Sequence, residues 1–291
     1  MKEILIKALI MLILIIFIYV LIAFLLYSFQ SKIIFHPEAN KADISVIQGK
    51  IKHIKEVTYR LPNGKEIYAW YLKPKKNKKL IVFFHGNTGN LLNNTNQLYF
   101  FNELGYGVLM PEYEGFGGIK GNLTQKELEQ DAKTALLFAL SKGYNEKDII
   151  IYGHSLGTYV ATYAANFMAQ EKKPVHALVL ETPFYSILDM AKNRFGNIFP
   201  YSILLKDKFE TDKLITNIQT KLYIGHGKTK TVRFCLTRED VSFYDRFGRK
   251  VFEAGDFKVE IGNSSRDIYF SKTEFLDFTM PIIALVIFVK V

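Results

Sequence analysis

The chain opens on an unbroken apolar run and then passes through two different alternations of hydrophobic and polar positions. From Ala8 to Tyr27 there is no charge, and nearly every residue is Leu, Ile, Phe, Val, Ala or Met. As a helix rising about 1.5 Å per residue, this run extends about 30 Å, the thickness of a bilayer's hydrocarbon core. It is longer than the apolar part of a cleaved signal peptide, and Tyr27-Ser28-Phe29-Gln30 offers no small-residue cleavage site. A helix apolar on every face suits lipid better than a protein core. Lys2 and Lys7 precede the run, which puts the N-terminus in the cytoplasm by the positive-inside rule, although Lys32, Lys41 and Lys50 beyond it narrow the asymmetry. Residues 1–30 are therefore expected to form a single-pass anchor, meeting the bilayer through residues 8–27 with the bulk of the chain outside the cytoplasm.

A second pattern runs from Lys50 to about Gly227. Glu56–Leu61 and Ile67–Leu72 alternate with period two around Pro62-Asn63-Gly64, the pattern of a β-hairpin. Leu80–Phe84 is continuously apolar, as for a strand covered on both faces in a parallel sheet. The loop His85-Gly86-Asn87-Thr88-Gly89-Asn90 precedes a helical stretch ending near Leu104, and Tyr106–Met110 is another strand. Thr124-Gln-Lys-Glu127 reads as a capping box, continued by Leu128, Ala132, Ala135, Leu136 and Ala139 on one helical face. Further strands follow at 148–152, 177–180 and 221–224, with a helix between the first two. Such regular alternation predicts an α/β fold with a mostly parallel sheet.

The candidate chemistry lies at Gly153-His154-Ser155-Leu156-Gly157, a G-x-S-x-G pentapeptide directly after a strand and directly before a helix. That context defines a nucleophile elbow, a turn so tight that side chains two residues either side of the serine would clash. Ser155 is then raised above the sheet at the positive end of a helix. The earlier loop would supply one oxyanion N–H, from Asn87 or Gly86, and Leu156 would supply the other.

These segments resemble the membrane-anchored serine hydrolases of the α/β-hydrolase superfamily, the bud-emergence type, over about residues 25–227. The resemblance rests on Ile34-Phe-His-Pro37, Phe84-His-Gly-Asn-Thr-Gly89, Tyr113-Glu-Gly-Phe-Gly117 and Ile151-Tyr-Gly-His-Ser-Leu-Gly157. Glu181-Thr-Pro-Phe-Tyr-Ser186 and Leu222-Tyr-Ile-Gly-His-Gly227 complete it in the same order. It implies hydrolysis of an ester, thioester or amide by acyl transfer through Ser155, without metal or other cofactor, on a small acyl substrate. It also implies a short cap between Pro183 and about Leu214.

The same resemblance sets a requirement that the chain does not meet. An acid and then a histidine should follow the serine in chain order. The acid's place, just beyond His226-Gly227, reads Lys228-Thr229-Lys230, and no histidine follows His226. His154 adjoins Ser155 in the elbow, His85 belongs to the oxyanion loop, and His36, His53 and His176 precede or flank strands. His226, at the end of a strand on the catalytic edge, is the one geometric candidate for a substitute base. Gly225-His-Gly-Lys-Thr229 superficially resembles a phosphate loop, but Leu222 stands where its first glycine belongs and no helix follows.

After Gly227 the helical periods stop. Val232–Leu236, Val241–Tyr244, Phe257–Ile261 and Ile268–Phe270 read as short strands in an antiparallel, sandwich-like pattern. Thr231-Val-Arg-Phe234, Leu236-Thr-Arg-Glu-Asp-Val-Ser-Phe-Tyr-Asp245, Glu253-Ala-Gly-Asp-Phe257 and Val259–Ile268 resemble the end of the fibronectin type III-like domain that closes β-glucosidase-type glycoside hydrolases of family three. That domain brings no glycosidase carboxylates. Phe278–Val289 is too short to span a bilayer and reads as a strand or packed terminus. The expected order is thus an anchor (1–30), an α/β-hydrolase domain stopped before its acid and histidine (31–227), a partial fibronectin-like β segment (228–277) and an apolar tail (278–291). Recombination, a rearrangement or a sequencing join would each leave such a fusion of two incomplete domains. The alternative to an impaired hydrolase is a non-catalytic fusion product, or a binding module built on the β segment.

Composition changes this picture little. In 291 residues, 38 Lys and Arg outnumber 28 Asp and Glu for a formal charge of +10, but nine basic and nine acidic residues cancel from Thr231 onward. The excess lies wholly in the first 230 residues, with Lys73, Lys75, Lys76, Lys78 and Lys79 in one loop between strands. No nucleic-acid motif or basic–aromatic interleaving accompanies the charge. A single cysteine excludes a disulfide framework and cysteine-rich zinc sites.

Overall fold

The computed structural model describes residues 1–225 apart from Asn77 and Gln219, and beyond Gly225 the backbone of the strands named below. The first helix, α1 (Lys2–Ile34), continues past the uncharged run for two more turns. Its apolar side chains are exposed over nearly its whole length, and among the described residues it is the one helix long and apolar enough to cross a membrane. Next come β1 (His36–Pro37), α2 (Ser45–Gln48), β2 (Lys55–Arg60) and β3 (Glu66–Leu72). Then follow β4 (Leu80–Phe84), β5 (Thr88–Gly89), α3 (Thr95–Glu103) and β6 (Gly107–Pro111). The chain continues through α4 (Gln125–Ser141), β7 (Ile149–His154), α5 (Gly157–Gln170) and β8 (Ala177–Glu181). Three short helices, α6 (Ile187–Phe195), α7 (Tyr201–Leu204) and α8 (Thr211–Ile215), lead to β9 (Lys221–Gly225).

These strands form a seven-stranded sheet in the order β2-β3-β6-β4-β7-β8-β9. The first two pairings are antiparallel and the other four parallel. β4 is buried at every position, as its unbroken apolar run predicts. The hairpin pairs Arg60 with Glu66 across the Pro62-Asn63-Gly64 turn, where Gly64 takes φ +83°, a left-handed conformation that glycine adopts without a steric penalty.

The five α4 residues of the predicted apolar face are all buried, and they meet α5 and the sheet in the main core. Of the predicted capping box only one half forms: the Thr124 hydroxyl accepts the Glu127 N–H at 3.5 Å, with no reciprocal bond from the Glu127 carboxylate. The stretch from Leu91 begins as one 3-10 turn, capped by Asn90, before α3 takes over. Fully buried Trp70, Phe83 and Met110 belong to a second cluster, which includes Leu98 and Phe101 of α3.

Beyond Gly225 the described backbone is wholly extended. It comprises β10 (Thr229–Leu236), β11 (Phe243–Tyr244), β12 (Lys250–Val251), β13 (Gly255–Ser264), β14 (Asp267–Leu276) and β15 (Ile283–Lys290). They pair antiparallel as β10-β15, β11-β12 and β13-β14. This is the change from mixed α/β to antiparallel β that the patterning predicts after Gly227.

Candidate active site

Ser155 sits between β7 and α5 with φ +52°, one of four non-glycine residues at positive φ among those described. A non-glycine side chain in that region is held by its surroundings, and here the restraints are visible. The Ser155 N–H donates to the Glu181 carbonyl at 2.9 Å, tying the turn to the end of β8. The Ser155 carbonyl accepts from both the N–H and the hydroxyl of Thr158, at 2.9 and 2.6 Å.

The two flanking glycines are required by close approach. A Cβ on Gly157 would lie 2.1 Å from the Phe84 carbonyl oxygen, and one on Gly153 would lie 2.3 Å from the Gly157 carbonyl oxygen. Both contacts are with backbone, which cannot swing aside. The turn thus has the steric form that the pentapeptide predicts.

The loop after β4 faces this turn. A Cβ placed on Gly86 would lie 3.4 Å from Ser155 Cβ and 3.6 Å from His154 Nδ1, so the three residues are immediate neighbours. Asn87 anchors the loop to the chain's first segments: its side chain donates to the Ile34 carbonyl at 2.5 Å, and its carbonyl accepts the His36 N–H at 2.8 Å. Among the described residues, the backbone N–H groups of Asn87 and Leu156 are engaged by no hydrogen bond. Free amides beside a serine are what an oxyanion requires.

Beneath the loop, His85 is completely buried. Its Nε2 lies 2.8 Å from Glu112 Oε1 and its Nδ1 2.8 Å from the Gly86 carbonyl. Both ring nitrogens therefore face acceptor oxygens, so a hydrogen must lie on each contact. Glu112 also accepts the Leu91 N–H at 3.2 Å, and Tyr113 donates its hydroxyl to the His85 carbonyl at 2.9 Å. His85 is a brace under the loop, with no free nitrogen for a serine proton.

The other histidines divide clearly. His176 hydrogen-bonds to the Ile149 carbonyl at the start of β7, a full strand away from Ser155. Burial and the neighbouring Lys79 hold its imidazole below the ordinary range. His36 and His53 are exposed, and His154, paired through its backbone with Glu181 of β8, is half-buried with no side-chain hydrogen bond among the described residues. His226 lies outside the described residues, as do Gly227 and Lys228. Among the described residues, no group of three or more His, Cys, Asp or Glu side chains could hold a metal ion.

Ser155, Leu156 and Asn87 form one end of a cavity of about 580 Å³. Sequence reasoning did not foresee its other walls. One comes from the cap, including Phe184, Met190 and Phe195; the other comes from α1, through Ile22, Leu26 and Gln30. Nearly all of the lining is apolar, and among the described residues Arg194 is its one charged side chain. The only trace of this in the sequence is Gln30, a lone amide just past the uncharged run, and it is 4% exposed.

The cap is the segment expected between Pro183 and Leu214. Thr182, β-branched and at φ +53°, marks the exit from β8 into it. At its far end Gln125 of α4 accepts the N–H groups of Lys208 and Phe209, while donating to Glu129 and to the Tyr159 hydroxyl. Burial and hydrogen bonding to Glu129 push the Tyr159 phenol far above its ordinary value, so it stays neutral in this network.

Comparison with known proteins bears on the same segments. A family described as "Serine aminopeptidase, S33" matches residues 75–220, and one described as "Fibronectin type III-like domain" matches residues 220–265. An uncharacterized protein of Acanthamoeba polyphaga mimivirus is 31% identical over 196 residues, 58% of this chain and 66% of that protein. Lysophosphatidylserine lipase ABHD12 of Danio rerio is 30% identical over 178 residues, 56% of this chain and 46% of the lipase. The chain thus spans about half to two thirds of the length of these relatives. Among solved structures, an α/β hydrolase of Vibrio vulnificus superimposes with a TM-score of 0.55 at 20% identity, covering 64% of this chain and 70% of that one. An esterase of Pyrococcus furiosus gives 0.51 at 19%, covering 66% and 75%. At those identities the structures speak to the fold alone. With this sheet, this elbow and a family match over half its length, the chain belongs to the serine aminopeptidase S33 family of α/β-hydrolases and continues into a fibronectin type III-like segment.

Proposed function

We propose that the chain is a membrane-anchored serine hydrolase that transfers acyl groups through Ser155 from esters, thioesters or amides, and that its turnover is impaired. The observation that carries this reading is the position of Ser155: strained at φ +52°, at the inner end of an apolar cavity, beside the unengaged N–H groups of Asn87 and Leu156.

In the proposed step, Ser155 Oγ attacks the carbonyl carbon as its proton passes to the substitute base, His226, and the carbonyl π pair moves onto oxygen. The Asn87 and Leu156 amides receive that oxyanion. Collapse expels the alcohol, thiol or amine, which takes that proton back from the base, and leaves an acyl group on Ser155 for water to remove. The named activity of the Danio rerio relative supports a lipid acyl ester as the substrate class. The apolar lining of the cavity agrees with it.

The impairment follows from the sequence after β9. Lys228-Thr229-Lys230 occupies the place of the acid, and His226 is the substitute base available within the 291 residues. Serine hydrolases stripped of triad members keep about 10³–10⁴-fold catalysis over water from the oxyanion hole and binding alone. Slow acylation is therefore the expected behaviour. Lys2 and Lys7 favour a cytoplasmic N-terminus, with the hydrolase domain on the opposite side of the membrane.

The non-catalytic reading draws on the same missing acid. A fluorophosphonate probe distinguishes the two: slow labelling mapped to Ser155 and lost in Ser155→Ala supports the hydrolase, and an unlabelled folded chain supports the remnant.

A further inference from the structure

We propose that α1 is a working wall of the substrate site as well as an anchor, so that an acyl chain reaches Ser155 from within the bilayer, along a seam between α1 and the cap. This rests on the hydrolase reading above and adds the route of access. The seam is closed at two heights. Near mid-helix, the Tyr19 hydroxyl donates to the Ile198 carbonyl at 3.0 Å, and the Tyr19 ring stacks on Phe199 with centroids 4.8 Å apart. Eleven residues later, Gln30 donates to the Leu204 carbonyl at 3.1 Å and accepts the Lys206 N–H at 2.8 Å. Between these clasps, Ile22 and Leu26 face the cavity that ends at Ser155.

Depth is what makes the bilayer the source of the occupant. Tyr19 lies within the uncharged run, eight residues and so about 12 Å of helix before its end at Tyr27. Cap residues that touch Tyr19 therefore sit at or below the level of the hydrocarbon boundary. The cap fits that solvent: Met190, Phe195 and Ile198, which line the cavity, and Ile203, which does not, are each more than half exposed, so apolar side chains stand open around the cavity mouth. Lipid removes that penalty. The occupant is the hydrocarbon chain of a lipid in the leaflet on the domain's side, with its carbonyl at Ser155.

Gln30 is the positioning residue of this arrangement. A buried amide beside lipid is costly unless its hydrogen bonds are made, and here it also donates to the Tyr27 carbonyl at 2.8 Å. Its partners in the cap are 174 and 176 residues away in sequence, so it fixes how the cap lies against α1.

The test uses the full chain in phosphatidylcholine vesicles doped with palmitic acid carrying a mid-chain diazirine, a probe that needs no turnover. After irradiation, cross-links mapped by mass spectrometry are expected on Ile22 and Leu26 and on Met190 or Phe195. They should saturate with probe and persist in Ser155→Ala, so this result stands apart from loss of fluorophosphonate labelling. Leu26→Trp and Ile22→Trp fill the seam and should lower the cap cross-links about tenfold. Phe24→Trp, on the opposite face of α1, should leave them unchanged. Gln30→Leu, which frees the cap from α1 at that height, should lower cap cross-links while those on α1 remain. Cross-links spread evenly around α1, or cap cross-links indifferent to both seam tryptophans, would overturn the proposal.

Discussion

His85 Nε2 lies 2.8 Å from Glu112 Oε1, with both side chains fully buried beneath the loop that carries Gly86 and Asn87. Neither side chain has solvent to fall back on, so a change at one leaves hydrogen-bonding groups of the other unpaired. Glu112→Gln turns one acceptor oxygen into an amide nitrogen that faces donors, and a loss of about 1–3 kcal/mol of unfolding free energy is expected in urea titrations. The exposed Lys41–Glu56 pair is as short, at 2.6 Å, but water competes for it. Lys41→Ala should cost less than about 1 kcal/mol.

The glycines of the elbow differ from other glycines in what surrounds them. Gly157→Ala drives a methyl group into the Phe84 carbonyl, and a loss of about 3 kcal/mol or more is expected, as for overpacked cores. Gly49 has ordinary helical angles, φ −61° and ψ −32°, and open space around it. Gly49→Ala should stabilise by about 0.4–1 kcal/mol, because it narrows the unfolded ensemble. Parallel denaturation curves of the two variants check both signs.

Asp131 gives the protein a pH dependence that its surface does not. Burial pushes its carboxyl up to about 8, and Glu114 and Glu127 add to the shift against the Glu114 N–H that donates to it. The folded state thus holds a proton that the unfolded chain releases near pH 4. Stability contributed here is full below about pH 4 and is lost as pH rises toward 8. Asp131→Asn should match the parent at acidic pH and melt higher than it at pH 9. Equal melting temperatures at both values would contradict the assignment.

The cap should be detachable without unfolding the sheet. Gln125→Ala removes the acceptor for the Lys208 and Phe209 amides and the donor to Tyr159. A cost of about 1–3 kcal/mol is expected from the groups left unpaired. Limited proteolysis should then cut between residues 183 and 214 faster than in the parent, while the core fragment persists.

What could be read from the sequence was local. Period-two runs located β2 and β3, continuous apolarity located β4, and the spacing of Leu128, Ala132 and Ala135 gave the buried face of α4. The elbow was legible because its chemistry sits within five residues flanked by a strand and a helix. The walls of the cavity were hidden because they arise from pairs such as Gln30 with Leu204, for which no local pattern exists. Asp131 was hidden for another reason: it lies among buried α4 residues, and polarity alone suggests the solvent face. His226, the substitute base suggested by its place at the end of a strand on the catalytic edge, lies outside the described residues.

The central claim is that Ser155 is a live but poorly assisted nucleophile, and labelling kinetics test it most directly. The full chain in vesicles is incubated with a fluorophosphonate, and the adduct is mapped by mass spectrometry over time. The account expects one slow adduct, on Ser155, absent in Ser155→Ala and slowed about 10²-fold or more in His226→Ala. A folded chain that acquires no adduct at Ser155 would contradict it.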